Sequence, residues 1–111
     1  MKIYVNARGA QPDQHLKLTE GEVESVTVDW EACCAYQGGT VSAVAWETLC
    51  SGASLGTQTD TGNTSTIPVT GSRAVRSIIQ ATATIGGQTN KVIIRVQVRD
   101  PRGWCVSDYG L

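Results

Sequence analysis

Between Thr64 and Arg99 apolar positions alternate with polar ones on both sides of a glycine-rich turn, and this two-residue period predicts a β-hairpin. Before the turn, Ile79, Ala81, Ala83 and Ile85 share one face, with Gln80, Thr82 and Thr84 on the other. After it, Val92, Ile94, Val96 and Val98 alternate with Ile93, Arg95, Gln97 and Arg99. Gly86 to Asn90 supplies residues that tolerate positive φ, as closing two antiparallel strands requires. The same period recurs upstream. Glu22 to Trp30 sets Val26, Val28 and Trp30 on one face, and Thr40 to Glu47 sets Val44 and Trp46 opposite Val41, Ala43 and Ala45. Lys2 to Asn6 alternates weakly, and a short strand is expected around Ser54 to Thr59 before a turn at Asp60 to Asn63. Thr64 to Thr70 is a further strand, where Pro68 predicts an edge position or a bulge. No helix of ordinary length is expected. About seven strand-like runs separated by turn signals predict an all-β chain folded as one antiparallel sandwich.

The composition agrees with that pattern. A chain of 111 residues carries one domain, and Val, Ile, Ala and three Trp, with no Phe, suit strands better than helices. Residues 22–100 form the expected sandwich, 1–21 an N-terminal arm or edge strand, and 101–111 a C-terminal tail. No apolar run resembles a leader or reaches the length needed to cross a bilayer, so synthesis in the cytosol without membrane contact is expected. Charge is divided unevenly. Residues 1–60 hold eight acidic and three basic side chains, a balance of −5, whereas residues 61–111 hold six basic and two acidic, a balance of +4. Either strands from the two halves pair and their charges offset, or acidic and basic faces steer contacts between copies. Nucleic-acid binding is not expected, because the chain has neither net positive charge nor a Lys/Arg stripe.

A resemblance is carried by Val28-Asp29-Trp30, then Gly39-Thr40-Val41 and Trp46-Glu47, then Gly71-Ser72-Arg73 with Arg76-Ser77-Ile78 and the Gly86-Gly87 hairpin. Over Val26 to Val98 these short structural motifs resemble small Ig-like virion proteins of tailed bacteriophages, including fibre–tail adaptor-like and head or neck accessory proteins. The resemblance implies an Ig-like sandwich with extended N- and C-terminal arms. It implies a non-enzymatic structural subunit, assembled in the host cytoplasm and resident in the virion. Its partners would be other virion proteins and copies of itself, with no small-molecule substrate and no cofactor. The four cysteines, the N-terminal extension and the tail depart from the family pattern.

Cys33, Cys34, Cys50 and Cys105 form no C-x-x-C pair and only His15 could join them at a metal, so no metal site is expected. In an extended strand Cys33 and Cys34 would point to opposite faces. Reduced thiols packed as small apolar groups are one reading. Candidate disulfides are the other, either joining Cys33 or Cys34 to Cys50 or forming between subunits, where Cys105 is the leading candidate. The tail concentrates Trp104, Val106, Tyr109 and Leu111, which either fold back on a sandwich edge or dock on a neighbour. With Arg95 and Arg99 they are the candidate interface. Catalysis finds thin support. His15 is expected in a solvated loop, nothing brings it to Cys50, Ser51 or Asp13, and Asp29 and Glu31 would share one outward strand face. Gly38-Gly39, Gly71 and Gly86-Gly87 are expected in turns, without a phosphate-binding motif. The competing reading is a carbohydrate-binding or adhesive module that stacks sugars on Tyr36, Trp46 or Trp104, although Trp30 and Trp46 fit a core role.

Overall fold

Alternating rows of Val, Ile and Ala can leave water only by facing a second such row, and the chain builds two sheets that do so. The computed structural model describes residues 1–7, 14–100 and 102. In chain order its elements are β1 (Lys2–Tyr4), β2 (Gln14–Thr19), β3 (Val23–Asp29), α1 (Glu31–Gln37), β4 (Val41–Thr48), β5 (Ala53–Leu55), β6 (Thr59–Thr61), β7 (Thr64–Gly71), β8 (Arg76–Ile85) and β9 (Gln88–Arg99). One sheet runs β1-β3-β7-β5, with β6 also on β7, and the other runs β2-β9-β8-β4. The described residues thus hold nine strands where about seven were expected.

The β8–β9 hairpin has the expected faces: Ile79, Ala81, Ala83 and Ile85 meet the interior with Val92, Ile94, Val96 and Val98, all buried. Its turn is tighter than the Gly86 to Asn90 run suggests. Ile85 pairs with Gln88, so Gly86 and Gly87 alone reverse the chain, at φ 56° and 83°. Two consecutive positive φ angles match the twist of the flanking strands and exclude most side chains. Val26, Val28 and Trp30 likewise face inward, and the Trp30 indole N–H is the buried side-chain donor without a partner among the described residues.

Five local expectations are corrected. First, Cys33 and Cys34 lie in no extended strand: Glu31–Gln37 is a short helix, with the Asp29 carboxylate accepting the Glu31 N–H at 2.8 Å before it and Gly38 stopping it in the left-handed region at φ 71°. Second, the β4–β8 register shifts between Val41 and Ala43, and this irregularity turns Val41 to the inner side with Val44 and Trp46. Third, the expected strand around Ser54 to Thr59 is two strands, β5 and β6, and Asp60 lies within β6 rather than in the turn. Fourth, Pro68 is on no edge strand, since β7 is flanked by β3 and by β5 with β6. Pro68 O accepts the Gly56 N–H at 2.9 Å, so its missing donor faces the stretch between β5 and β6 where pairing is interrupted. Fifth, Gly71 ends β7 instead of occupying a turn. A Cβ there would lie 2.9 Å from Val98 Cγ1 and 3.1 Å from Thr19 O, so the glycine permits the sheets to converge.

The expected N-terminal arm is, in its described residues, a pair of edge strands. β1 pairs with β3 and β2 with β9, both in parallel, so the sandwich is antiparallel except at these edges. Ile3, Val5, Leu16 and Leu18 are buried by this arrangement, each contributing about 1.5 to 3 kcal/mol before entropy is subtracted.

Candidate functional site

The alternation that buries one face of each strand displays the other, and the two displayed faces differ in chemistry. On the four-stranded sheet the register sets His15 beside Arg95 and Arg95 beside Ile78, with Lys17 beside Gln97 and Gln97 beside Arg76 in the next outward row. Strand spacing makes each row about 10 Å wide, and the rows lie about 7 Å apart. Together they border a cleft of about 460 Å³, floored by half-buried Ile78 and reached by the exposed Cys50. Lys17, Arg76 and Arg95 supply three cations to its lining, which contains no carboxylate among the described residues. The Met1 amine pairs with Glu24 and Arg102 with Asp100, both away from the cleft. Glu47, displayed on the same sheet, accepts the Gln80 amide at 2.9 Å.

The outer face of the other sheet is a field of hydroxyls. Lys2, Thr27, Thr66 and Thr59 form one row and Tyr4, Asp29, Thr64 and Thr61 the next. The Thr27 and Thr66 hydroxyls are hydrogen-bonded to each other at 2.8 Å. Tyr4 is exposed at the rim, with the Lys2 ammonium 5.0 Å from its ring centroid.

The candidate residues fall in separate places. Arg95 and Arg99 are both on β9, but Arg95 lines the cleft and Arg99 does not. Cys105, Trp104, Val106, Tyr109 and Leu111 lie outside the described residues. Cys33 and Cys34 are adjacent on α1, so both face inward instead of pointing to opposite faces. Burial pushes the Cys33 thiol pKa up, and burial followed by the neighbouring Cys33 and Glu31 charges raises that of Cys34. Neither bonds Cys50, and all three are free thiols. The physical reason is distance: Cys34 on α1 precedes β4 and Cys50 lies beyond its end, with the strand's eight residues between. That is about 26 Å, against about 4 to 7 Å between the Cα atoms of a disulfide.

The catalytic alternatives also separate. His15 is a strand residue, not a loop residue, and it shares the cleft with Cys50. At least two strand spacings, about 10 Å of backbone separation, lie between β2 and the Cys50 side of β8. Asp29 ends β3 whereas Glu31 opens α1 and accepts the Asn63 amide at 2.8 Å, so they share no strand face. Among the described residues no three His, Cys, Asp or Glu side chains gather at one point. Of the proposed sugar platforms, Trp46 is half-buried with its N–H donated to Ser65 Oγ at 2.8 Å, and Tyr36 is exposed on α1. The cleft itself escaped the sequence reading. Its local signals were the i, i+2 spacing of His15 with Lys17 and the outward Arg76 and Arg95, but only the long-range β2–β9 pairing joins them.

The sequence matches no protein-family model and no curated protein. Solved structures do match its fold. The cysteine protease inhibitor EhICP2 from Entamoeba histolytica aligns over 88% of this chain and 95% of its own at 11% identity, with a TM-score of 0.56. A chimeric titin Z1Z2 aligns over 82% and 91% at 13% identity, TM-score 0.55. PbICP-C, solved in complex with falcipain-2, aligns over 88% and 98% at 12% identity, TM-score 0.52. The chain is an all-β sandwich of the Ig-like type.

Proposed function

We propose that this chain is a non-enzymatic structural module of a tailed-phage particle, which joins neighbouring head, neck or tail subunits through the surfaces of its sandwich. The observation that carries this reading is the unequal distribution of charge over the fold. Three cations stand together in an open cleft on one sheet, no carboxylate among the described residues lines that cleft, and the other sheet offers hydroxyls. Cations grouped in this way steer association and set orientation more than they stabilise a monomer. The short edge strands β1 and β2 add a second kind of contact surface. Cys50, exposed beside the cleft, and Cys105 are the thiols that would clamp neighbouring copies after release into an oxidising medium.

The test has two arms. Mass spectrometry of particles purified from cells that encode the chain is expected to find it as a stoichiometric component. Light scattering of the recombinant protein after air oxidation is expected to find multimers that reductant dissolves. Absence from particles, combined with a monomer that binds a glycan array, would contradict the proposal and favour the carbohydrate-binding reading.

A further inference from the structure

The cationic cleft asks for a specific kind of occupant. Lys17, Arg76 and Arg95 are exposed, and they spread over two rows about 7 Å apart. A single small anion reaches at most part of such an array, and an exposed pair of charges is worth only about 0 to 1 kcal/mol. Two carboxylates on one ordered turn engage more than one of these cations at once and lose less backbone entropy on docking than a flexible acidic segment.

The chain itself carries such a group. Glu20, Gly21 and Glu22 form the exposed turn between β2 and β3, with Glu24 following. The turn is fixed by its backbone: the Glu20 N–H donates to Arg99 O at 2.8 Å, Gly21 N–H to Gly71 O at 2.8 Å and Glu22 N–H to Thr19 O at 2.9 Å. The Glu22 carboxylate accepts the Thr19 N–H at 3.0 Å, which holds that side chain as well. No basic residue lies between Thr19 and Trp30. The turn is therefore an acidic projection on a fixed backbone, and the cleft is a basic depression with no carboxylate among its described lining residues, large enough, at about 460 Å³, for a group of small-ligand size.

We infer that the cleft bounded by Lys17, Arg76 and Arg95 is the docking site for the Glu20-Gly21-Glu22 turn of a second copy of this chain. Because turn and cleft are different surfaces, the contact closes as a reciprocal pair or propagates as a ring or filament, according to the rotation between copies. The inference takes only its setting from the virion reading. Self-docking and residence in a particle can each fail without the other.

Charge exchange tests it in the full-length protein. One variant, Lys17→Glu/Arg76→Glu, makes the cleft acidic; the other, Glu20→Lys/Glu22→Gln, makes the turn basic while leaving residue 22 an acceptor for Thr19. Circular dichroism and thermal melting establish that each is folded. Sedimentation velocity of the wild type is expected to show association that weakens about tenfold or more between about 0.05 M and about 0.5 M salt. Each variant alone is expected to be monomeric at the concentrations where the wild type associates. Mixed together they are expected to associate again, because basic turn meets acidic cleft and acidic turn meets basic cleft. A wild type monomeric at every salt concentration overturns the inference, as does association that survives both variants or a mixture that fails to restore it. Should one variant not fold, the single Arg95→Glu substitution with the wild-type salt series decides in its place. A monomeric wild type still found in purified particles would remove self-docking and leave the virion reading intact.

Discussion

The outer faces of the two sheets are made by the same alternation of residues, yet one is a cationic cleft and the other an array of hydroxyls. On the five-stranded sheet the Thr27 and Thr66 hydroxyls bond each other at 2.8 Å and the Thr64 hydroxyl donates to Thr61 O at 2.8 Å, so the array is partly spent on internal contacts. On the four-stranded sheet Lys17, Arg76 and Arg95 have no carboxylate among the described residues that line their cleft. The contrast teaches where this fold stores stability and where it holds unspent interaction capacity. Cross-strand Thr pairs contribute to the sheet, about 0.2 to 1 kcal/mol each. Like charges in adjacent rows contribute nothing to it and would be balanced by the acidic turn that the inferred self-docking brings to them.

The two faces share one core, so the largest effect comes from removing what holds both. Trp30→Ala is expected to destabilise the fold by about 3 to 5 kcal/mol in chemical denaturation, and both surfaces are lost with it. Trp30→Phe also removes the unpartnered indole N–H and is expected to cost well under half as much. Gly71→Val would force a side chain against Val98 and the Thr19 carbonyl where the sheets converge. It is expected to cost about 1 to 3 kcal/mol, read as a lower melting temperature.

Smaller changes separate the faces. Arg95→Glu is expected to leave stability within about 0.5 kcal/mol while weakening self-association about tenfold or more. Thr66→Val is expected to do the reverse, losing about 0.5 to 1.5 kcal/mol with the Thr27 bond and leaving association unchanged. The smallest effect is that of pH on the interior between the faces. Cys33 and Cys34 hold their protons above the ordinary thiol value of 9.0, so the unfolded chain ionises first as pH rises. Stability is fully retained below that value and falls as pH climbs through it, and a Cys33→Ala/Cys34→Ala variant is expected to show a flatter denaturation profile there.

Strands with one buried face were legible in the sequence because period two is a local signal. That held for β3, β8 and β9, whose inward rows Val26/Val28, Ile79/Ala81/Ala83/Ile85 and Val92/Ile94/Val96/Val98 follow directly from the alternation. Failures arose where a local signal was too short or the determinant was distant. Seven residues give α1 under two turns, too few for a helical period to emerge from EACCAYQ, and so Cys33 and Cys34 were assigned opposite faces. A single inserted residue moved Val41 from one side of β4 to the other. Pro68 was read from its missing donor alone, although the interruption that accommodates it lies between β5 and β6. The cleft was the least legible feature. Lys17 and Arg95 are separated by most of the chain, and only the parallel β2–β9 register makes them neighbours.

The measurement that tests the central claim most directly is a concentration series of two-dimensional amide NMR spectra on the full-length protein at low salt, which reports which face of the sandwich docks. The account predicts that resonances of His15, Lys17, Arg76 and Arg95, together with Glu20, Gly21 and Glu22, move with concentration while those of Thr27, Thr59, Thr64 and Thr66 stay fixed. Shifts confined to the threonine face, or none on either face, would contradict it.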